Sequence, residues 1–192
     1  MQIRFPLRQG GSGRFLDIQW GAAMASLLLA GMAHAAPGHK HVHGTVKLDV
    51  AIEGSRLTVE LDAPLDSLLG FEHRPRTAAQ RQAGAALLEQ MKDVQAVVRP
   101  DPQALCTLAR SRIDAPVLDT APPAGPAKGG EHADLSASYE FDCAQPEKLM
   151  KLDVVLFDTF KRIKRIESRV AGAKGQSGRT LTPATKTLML AR

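Results

Sequence analysis

The stretch TVKLDVAIEGSRLTVELD, residues 45–62, decides the fold. Val46, Leu48, Val50 and Ile52 alternate with Thr45, Lys47, Asp49 and Ala51. After Gly54-Ser55, Leu57, Val59 and Leu61 alternate with Thr58, Glu60 and Asp62. Side chains of a strand point to opposite faces in turn, so each half predicts a strand with one apolar face. A two-residue loop at Gly54-Ser55 sets Ile52 opposite Leu57, Val50 opposite Val59 and Leu48 opposite Leu61. Every apolar pair then falls on one face, and a slip of one residue would lose that. Pro64, which has no amide hydrogen to give a ladder, predicts the end of the second strand.

Working outward, residues 77–92 predict a helix. Thr77-Ala-Ala-Gln80 is a capping box downstream of Pro75, and Ala79, Ala83, Ala86, Leu87 and Leu88 give an approximate apolar stripe. Residues 94–98 read as a short strand stopped by Pro100 and Pro102. Residues 105–113 fit strand or helix, with a strand carrying Cys106 favoured. Residues 115–133, rich in Pro and Gly, predict a flexible loop with little to bury. Leu135, Ala137, Tyr139 and Phe141 alternate towards Cys143 and predict another strand. A strand at 152–156 and a turn at 158–161 follow. A second hairpin is expected from Ile163 to Val170 and back from Thr180 to Leu190, through a loop at 172–178. Six to eight short strands with one principal helix place the chain in the α+β class, with a mainly antiparallel sheet.

Arg4, Arg8 and Arg14 precede an apolar run from Trp20 to Ala33, and Ala33-His34-Ala35 has the A-x-A cleavage pattern. Residues 1–35 therefore read as a secretory signal peptide, and residues 36–192 as a single domain. No later segment is apolar and long enough to span a bilayer. Losing the leader takes away three Arg and one Asp, lowering the formal net charge from +5 to +3. So weak an imbalance, on an exported chain, gives no ground for nucleic-acid binding. Cys106 and Cys143, an even pair in an oxidising compartment, predict a disulfide worth about 4 kcal/mol on the chain-entropy view. Two free buried thiols are the alternative.

Three histidines, His39, His41 and His43, lie within five residues. In an extended chain, residues two apart project to one side about 6.7 Å apart. Two such imidazoles can converge on one ion at Zn–N distances of about 2.0–2.1 Å. All three can do so only if the chain bends, which Gly38 and Gly44 permit. The three share the odd numbering of Lys47 and Asp49, hence the face opposite the core. The alternative is a solvated terminus with incidental histidines. Imidazole suits zinc, copper and nickel alike, while the scarcity of nearby methionine argues against copper(I).

A second candidate is Glu72-His73, on the loop before the helix. The hairpin register, extrapolated, sets His43 opposite Asp66, so this loop folds back towards the histidines. The competing reading has His73 bonded to the helix start or packed on Phe71. A third is Glu131-His132-Ala133-Asp134, where His132 and the two carboxylates, Glu131 and Asp134, are of ligand type and a solvated linker end is the alternative. The basic run Lys161-Arg-Ile-Lys-Arg-Ile166 reads as a strand with a solvated charged face. No G-x-S-x-G, H-E-x-x-H or P-loop is present, and no enzymatic activity is expected.

Three segments together resemble the ZrgA-like family of periplasmic zinc-uptake proteins. They are HVHGTVKLDVAI from His41, LDAPLD from Leu61 and LGFEHRPRT from Leu69. The C-terminal residues 152–190 are similar to that family too. The resemblance implies zinc binding in the periplasm in support of a zinc importer, with His41, His43, Glu72 and His73 as the matching positions. One departure stands out. The family commonly carries a long His/Asp/Glu-rich segment before the strand that ends in the second cysteine. Here residues 122–134 hold a single histidine, which leaves one site near the N-terminal histidines.

The expectation is a periplasmic protein that binds Zn²⁺, or another divalent transition metal, through His41 and His43, with His73 or His39 next. Its partner would be a periplasmic component of a zinc ABC importer. The rival is a metal-free cell-envelope adaptor that binds a partner protein.

Overall fold

The computed structural model describes residues 42–119 and 133–190. The expected signal peptide, His39, His41, His132 and most of the expected flexible loop lie outside the described residues. The order is β1 (Thr45–Glu53), β2 (Arg56–Pro64), α1 (Leu65–Leu69), α2 (Ala78–Lys92), β3 (Val98–Pro100) and β4 (Cys106–Asp114). Then come β5 (Asp134–Cys143), β6 (Lys151–Val154), α3 (Leu156–Thr159), β7 (Arg165–Gly172), β8 (Gly175–Leu181) and β9 (Thr187–Met189). One sheet runs β4-β5-β2-β1-β7-β8 and a smaller one β3-β6-β9. The architecture is α+β and mainly sheet. One pair, β1 with β7, is parallel.

β1 and β2 pair as their alternation dictates: Ile52 with Leu57, Val50 with Val59, Leu48 with Leu61. Gly54 takes the positive φ of the turn, at +60°. Val46, Leu48 and Val50 of β1, the odd residues of β2 and the odd residues of β5 are buried, with Ile52 partly so, forming one apolar face. Strand β5 pairs with both β2 and β4. Helix α2 covers this face through Leu87 and Met91. The hydroxyl of fully buried Tyr139, on β5, donates to the Met91 carbonyl at 2.7 Å. Burial pushes the Tyr139 phenol well above its ordinary pKa. The opposite face keeps Lys47, Glu53, Glu60 and Asp62 in solvent. Cys106 faces Cys143 in the β4–β5 ladder and the two form the disulfide.

Several sequence expectations need correction. Helix α2 has its capping box at Thr77 and Gln80, but Ala79, Ala83 and Ala86 are exposed. Its buried line is Gly84, Leu87 and Met91. Leu118 lies over Gly84, 3.2 Å from where a Cβ would stand, so the helix packs through a position without a side chain. Leu118 comes from residues expected to be a bare loop. Pro116–Leu118 is a 3₁₀ turn with Val117 and Leu118 buried. Residues Val94–Ala96 form a 3₁₀ turn, leaving only Val98–Pro100 as strand.

The second hairpin turns at Ala173-Lys174, so β7 pairs with Gly175–Leu181, and of the expected return strand 180–190 only Thr180 and Leu181 take part. Thr187–Met189 instead pairs with β6 in the small sheet. Gly175, with φ of +110°, makes the tight turn. Residues 155–156, read as strand, lead into α3. The basic run is strand only from Arg165 onwards.

Candidate metal centre

The histidines were expected on an extended strand, but His43 sits in a turn. β1 begins only at Thr45, whose N–H donates to the Val42 carbonyl at 2.9 Å. That bond closes a four-residue turn with His43 and Gly44 in the middle, and Gly44 has φ of +77°. A positive φ at the third turn position is what glycine supplies without strain. Gly44 is gripped on both sides. Its N–H donates to the Oγ of fully buried Ser67 at 2.9 Å. Its carbonyl accepts from the Lys164 and Arg165 N–H groups at 2.8 and 3.1 Å. The same bonds start the parallel β1–β7 pair, so the backbone beside His43 is tied to two elements.

Pro64 ends β2 and α1 begins at the next residue, carrying Asp66 and Ser67 under the turn. Gly70, at φ of +83°, then reverses the chain so that Glu72 returns towards His43. The His43 ring lies between two carboxylates. Its Nδ1 is 3.1 Å from Asp66 Oδ2, and its Nε2 is 3.6 Å from Glu72 Oε1. The extrapolated register did place His43 opposite Asp66. The ladder itself stops at Lys47 and Asp62, and the turn and α1 complete the approach.

The two carboxylates address different ring nitrogens, whose lone pairs diverge, so one ion cannot take both with His43 as placed. Asp66 has a further partner that the sequence did not disclose. Arg162 donates from Nε to the Asp66 carbonyl at 2.7 Å and from NH2 to Asp66 Oδ1 at 2.8 Å. Asp66 is 14 % exposed, against 65 % for His43 and 39 % for Glu72.

The other candidates fare differently. The His73 ring stacks on Phe71 at a centroid distance of 5.3 Å. Its Nδ1 lies 2.9 Å from the Arg74 carbonyl. A carbonyl only accepts, so Nδ1 carries the hydrogen. The competing reading, packing on Phe71, is therefore what the ring does. Asp134 opens β5 opposite Pro64. It lines a small cleft of about 80 Å³ with Val42, Thr45, Lys47, Asp62 and Glu167. It thus neighbours the chain just before His43. Among the described residues no group of three His, Cys, Asp or Glu side chains forms a ready-made cage. What the structure brings together is His43 and Glu72, with Asp66 and Arg162 behind them.

Among the described residues no helix is long and apolar enough to cross a membrane. Residues 40–190 match the family model described as ZrgA family zinc uptake protein. No curated protein matches the chain.

Proposed function

The chain belongs to the ZrgA family of zinc uptake proteins, and from that premise we propose that it captures Zn²⁺ in the periplasm and passes it to an importer component. The observation that carries this reading is the approach of His43 Nε2 to Glu72 Oε1 at 3.6 Å. Zinc takes nitrogen at about 2.0–2.1 Å and carboxylate oxygen at about 2.0–2.2 Å. An ion bound to both at those lengths, with the atoms where they stand, would subtend roughly 120°. That angle is close to what a four-coordinate site needs. His41 and His39, two and four residues ahead of His43, are the next ligands in line, and water can complete the shell.

The donor types support the choice of metal. A mixed imidazole and carboxylate set suits zinc, whereas calcium and magnesium take oxygen shells. Exposure supports the role. Ligands that remain 65 % and 39 % exposed leave an ion open to attack by a partner's ligands. Handover requires such access, and no turnover is involved. The A-x-A leader and the Cys106–Cys143 bridge support export to an oxidising compartment.

Isothermal calorimetry with zinc tests the reading. The wild type should take up one ion. His43→Ala should lose at least about a hundredfold in affinity, more than the roughly 10–100-fold typical of an outer-shell partner. Glu72→Gln should weaken binding, and His39→Ala/His41→Ala should weaken it further when combined. Wild-type affinity in His43→Ala would overturn the assignment of His43 as a ligand, and no zinc uptake by the wild type would leave the metal-free adaptor as the better account.

A further inference from the structure

Asp66 is the carboxylate nearest the His43 ring, yet its atoms are already committed. Oδ1 accepts from Arg162 NH2 at 2.8 Å and the backbone carbonyl accepts from Arg162 Nε at 2.7 Å. Oδ2 faces His43 Nδ1 at 3.1 Å. The guanidinium is a rigid fork with its donors in one plane, so two bonds to one residue fix that residue's orientation. Arg162 comes from the turn before β7, the same turn whose Lys164 and Arg165 N–H groups hold the Gly44 carbonyl. One segment therefore sets both the His43 backbone and the acid behind its ring.

We propose that Arg162 is a positioning and specificity-determining residue for the metal site, keeping Asp66 on His43 Nδ1 and out of the ion's own shell. The inference rests on the reading that His43 and Glu72 bind zinc. Both carboxylates only accept, and Asp66 at 3.1 Å is the nearer, Glu72 at 3.6 Å lying beyond hydrogen-bond reach, so the tautomer with hydrogen on Nδ1 is favoured and Nε2 is left as the bare base facing Glu72. Metal-bound histidines are commonly oriented in this way through their second nitrogen. Released from Arg162, Asp66 is free to swing towards the ion and add a second carboxylate. The donor set would then move towards oxygen, which suits manganese better relative to zinc.

The test begins without metal. Nitrogen NMR of the histidine rings, at about pH 8 where neutral imidazole prevails, should show His43 in the Nδ1–H form in the wild type. Arg162→Met should give a mixed tautomer, and Arg162→Lys, which keeps the charge without the fork, an intermediate one. Zinc affinity should fall by about 10–100-fold in Arg162→Met, and the zinc-to-manganese affinity ratio should fall with it. Cobalt(II) bound in place of zinc should lose visible absorbance as its coordination number rises. Because Arg162 is 55 % exposed, the variant should fold. If it does not, Asp66→Ala reports the same tautomer loss with Arg162 intact. An unchanged tautomer and an unchanged ratio beside intact zinc binding would overturn this inference alone. Failure of the wild type to bind zinc would overturn the reading beneath it.

Discussion

At the scale of the residue, His43 and Glu72 owe their meeting to chemistry that the sequence carries only in part. Their residue types mark both as ligand candidates, and the hairpin register points His43 at Asp66. Arg162 could not be read so. It stands 96 residues from Asp66, in a basic run whose local pattern looks like a solvated strand face. Nothing nearby in the chain says which acid it will meet. His73 shows the opposite case, because Phe71 two residues away was visible as its alternative partner.

A ligand histidine must be neutral, since a proton and a metal ion compete for the same lone pair. Zinc affinity should therefore fall as pH is lowered, by up to about tenfold per pH unit for each ligating histidine. Calorimetry between pH 7.5 and pH 5 reads the slope directly. A slope near one assigns His43 alone, a slope near two adds His41 or His39, and a flat profile contradicts histidine ligation.

At the scale of the element, the turn at His43-Gly44 converts strand-like sequence into a site. Gly44 has φ of +77°, and a Cβ there would stand 3.0 Å from Lys164 Cγ and 3.1 Å from the Arg162 carbonyl. Gly44→Ala should cost about 1–2 kcal/mol for the left-handed conformation, before any crowding. It should also weaken zinc binding by displacing His43. Gly54→Ala is the control, with φ of +60° and nothing within 4 Å of the new methyl. It should lose comparable stability in denaturant titrations while keeping wild-type zinc affinity. Equal zinc loss in both variants would separate the site from the turn.

The elements that were legible are those with strong local signals. The first hairpin has alternation with a Gly-Ser turn, α2 has its capping box, and β5 has four apolar residues in step. The buried line of α2 was not legible, because a glycine at position 84 takes the packing role and carries no hydrophobic mark. The return strand of the second hairpin was misplaced for a related reason. Strand β8 is almost wholly exposed, so no apolar alternation announces it. The apolar residues further on, Leu188 and Leu190, belong to the small sheet's side of the core.

At the scale of the whole molecule, one continuous core joins both sheets and α2. The Cys106–Cys143 bridge ties strand β4, most of whose residues are exposed, to β5, its one ladder partner among the described residues. Cys106→Ala/Cys143→Ala should lower stability by about 2–4 kcal/mol in denaturant titrations. Zinc affinity should stay close to wild type, because the bridge lies at the β4 edge, two strands from β1. A large loss of zinc binding would show that the site depends on the whole sheet and not on the turn, α1 and Arg162.

The central claim is that His43 Nε2 and Glu72 hold the ion while Asp66 stays behind the ring. An anomalous difference map from a zinc-soaked crystal tests it most directly. The expected result is a peak about 2.0–2.1 Å from His43 Nε2, bonded to Glu72, with Arg162 still on Asp66. A peak on Asp66 and His43 Nδ1, or a strong peak elsewhere with the His43 ring unligated, would contradict it.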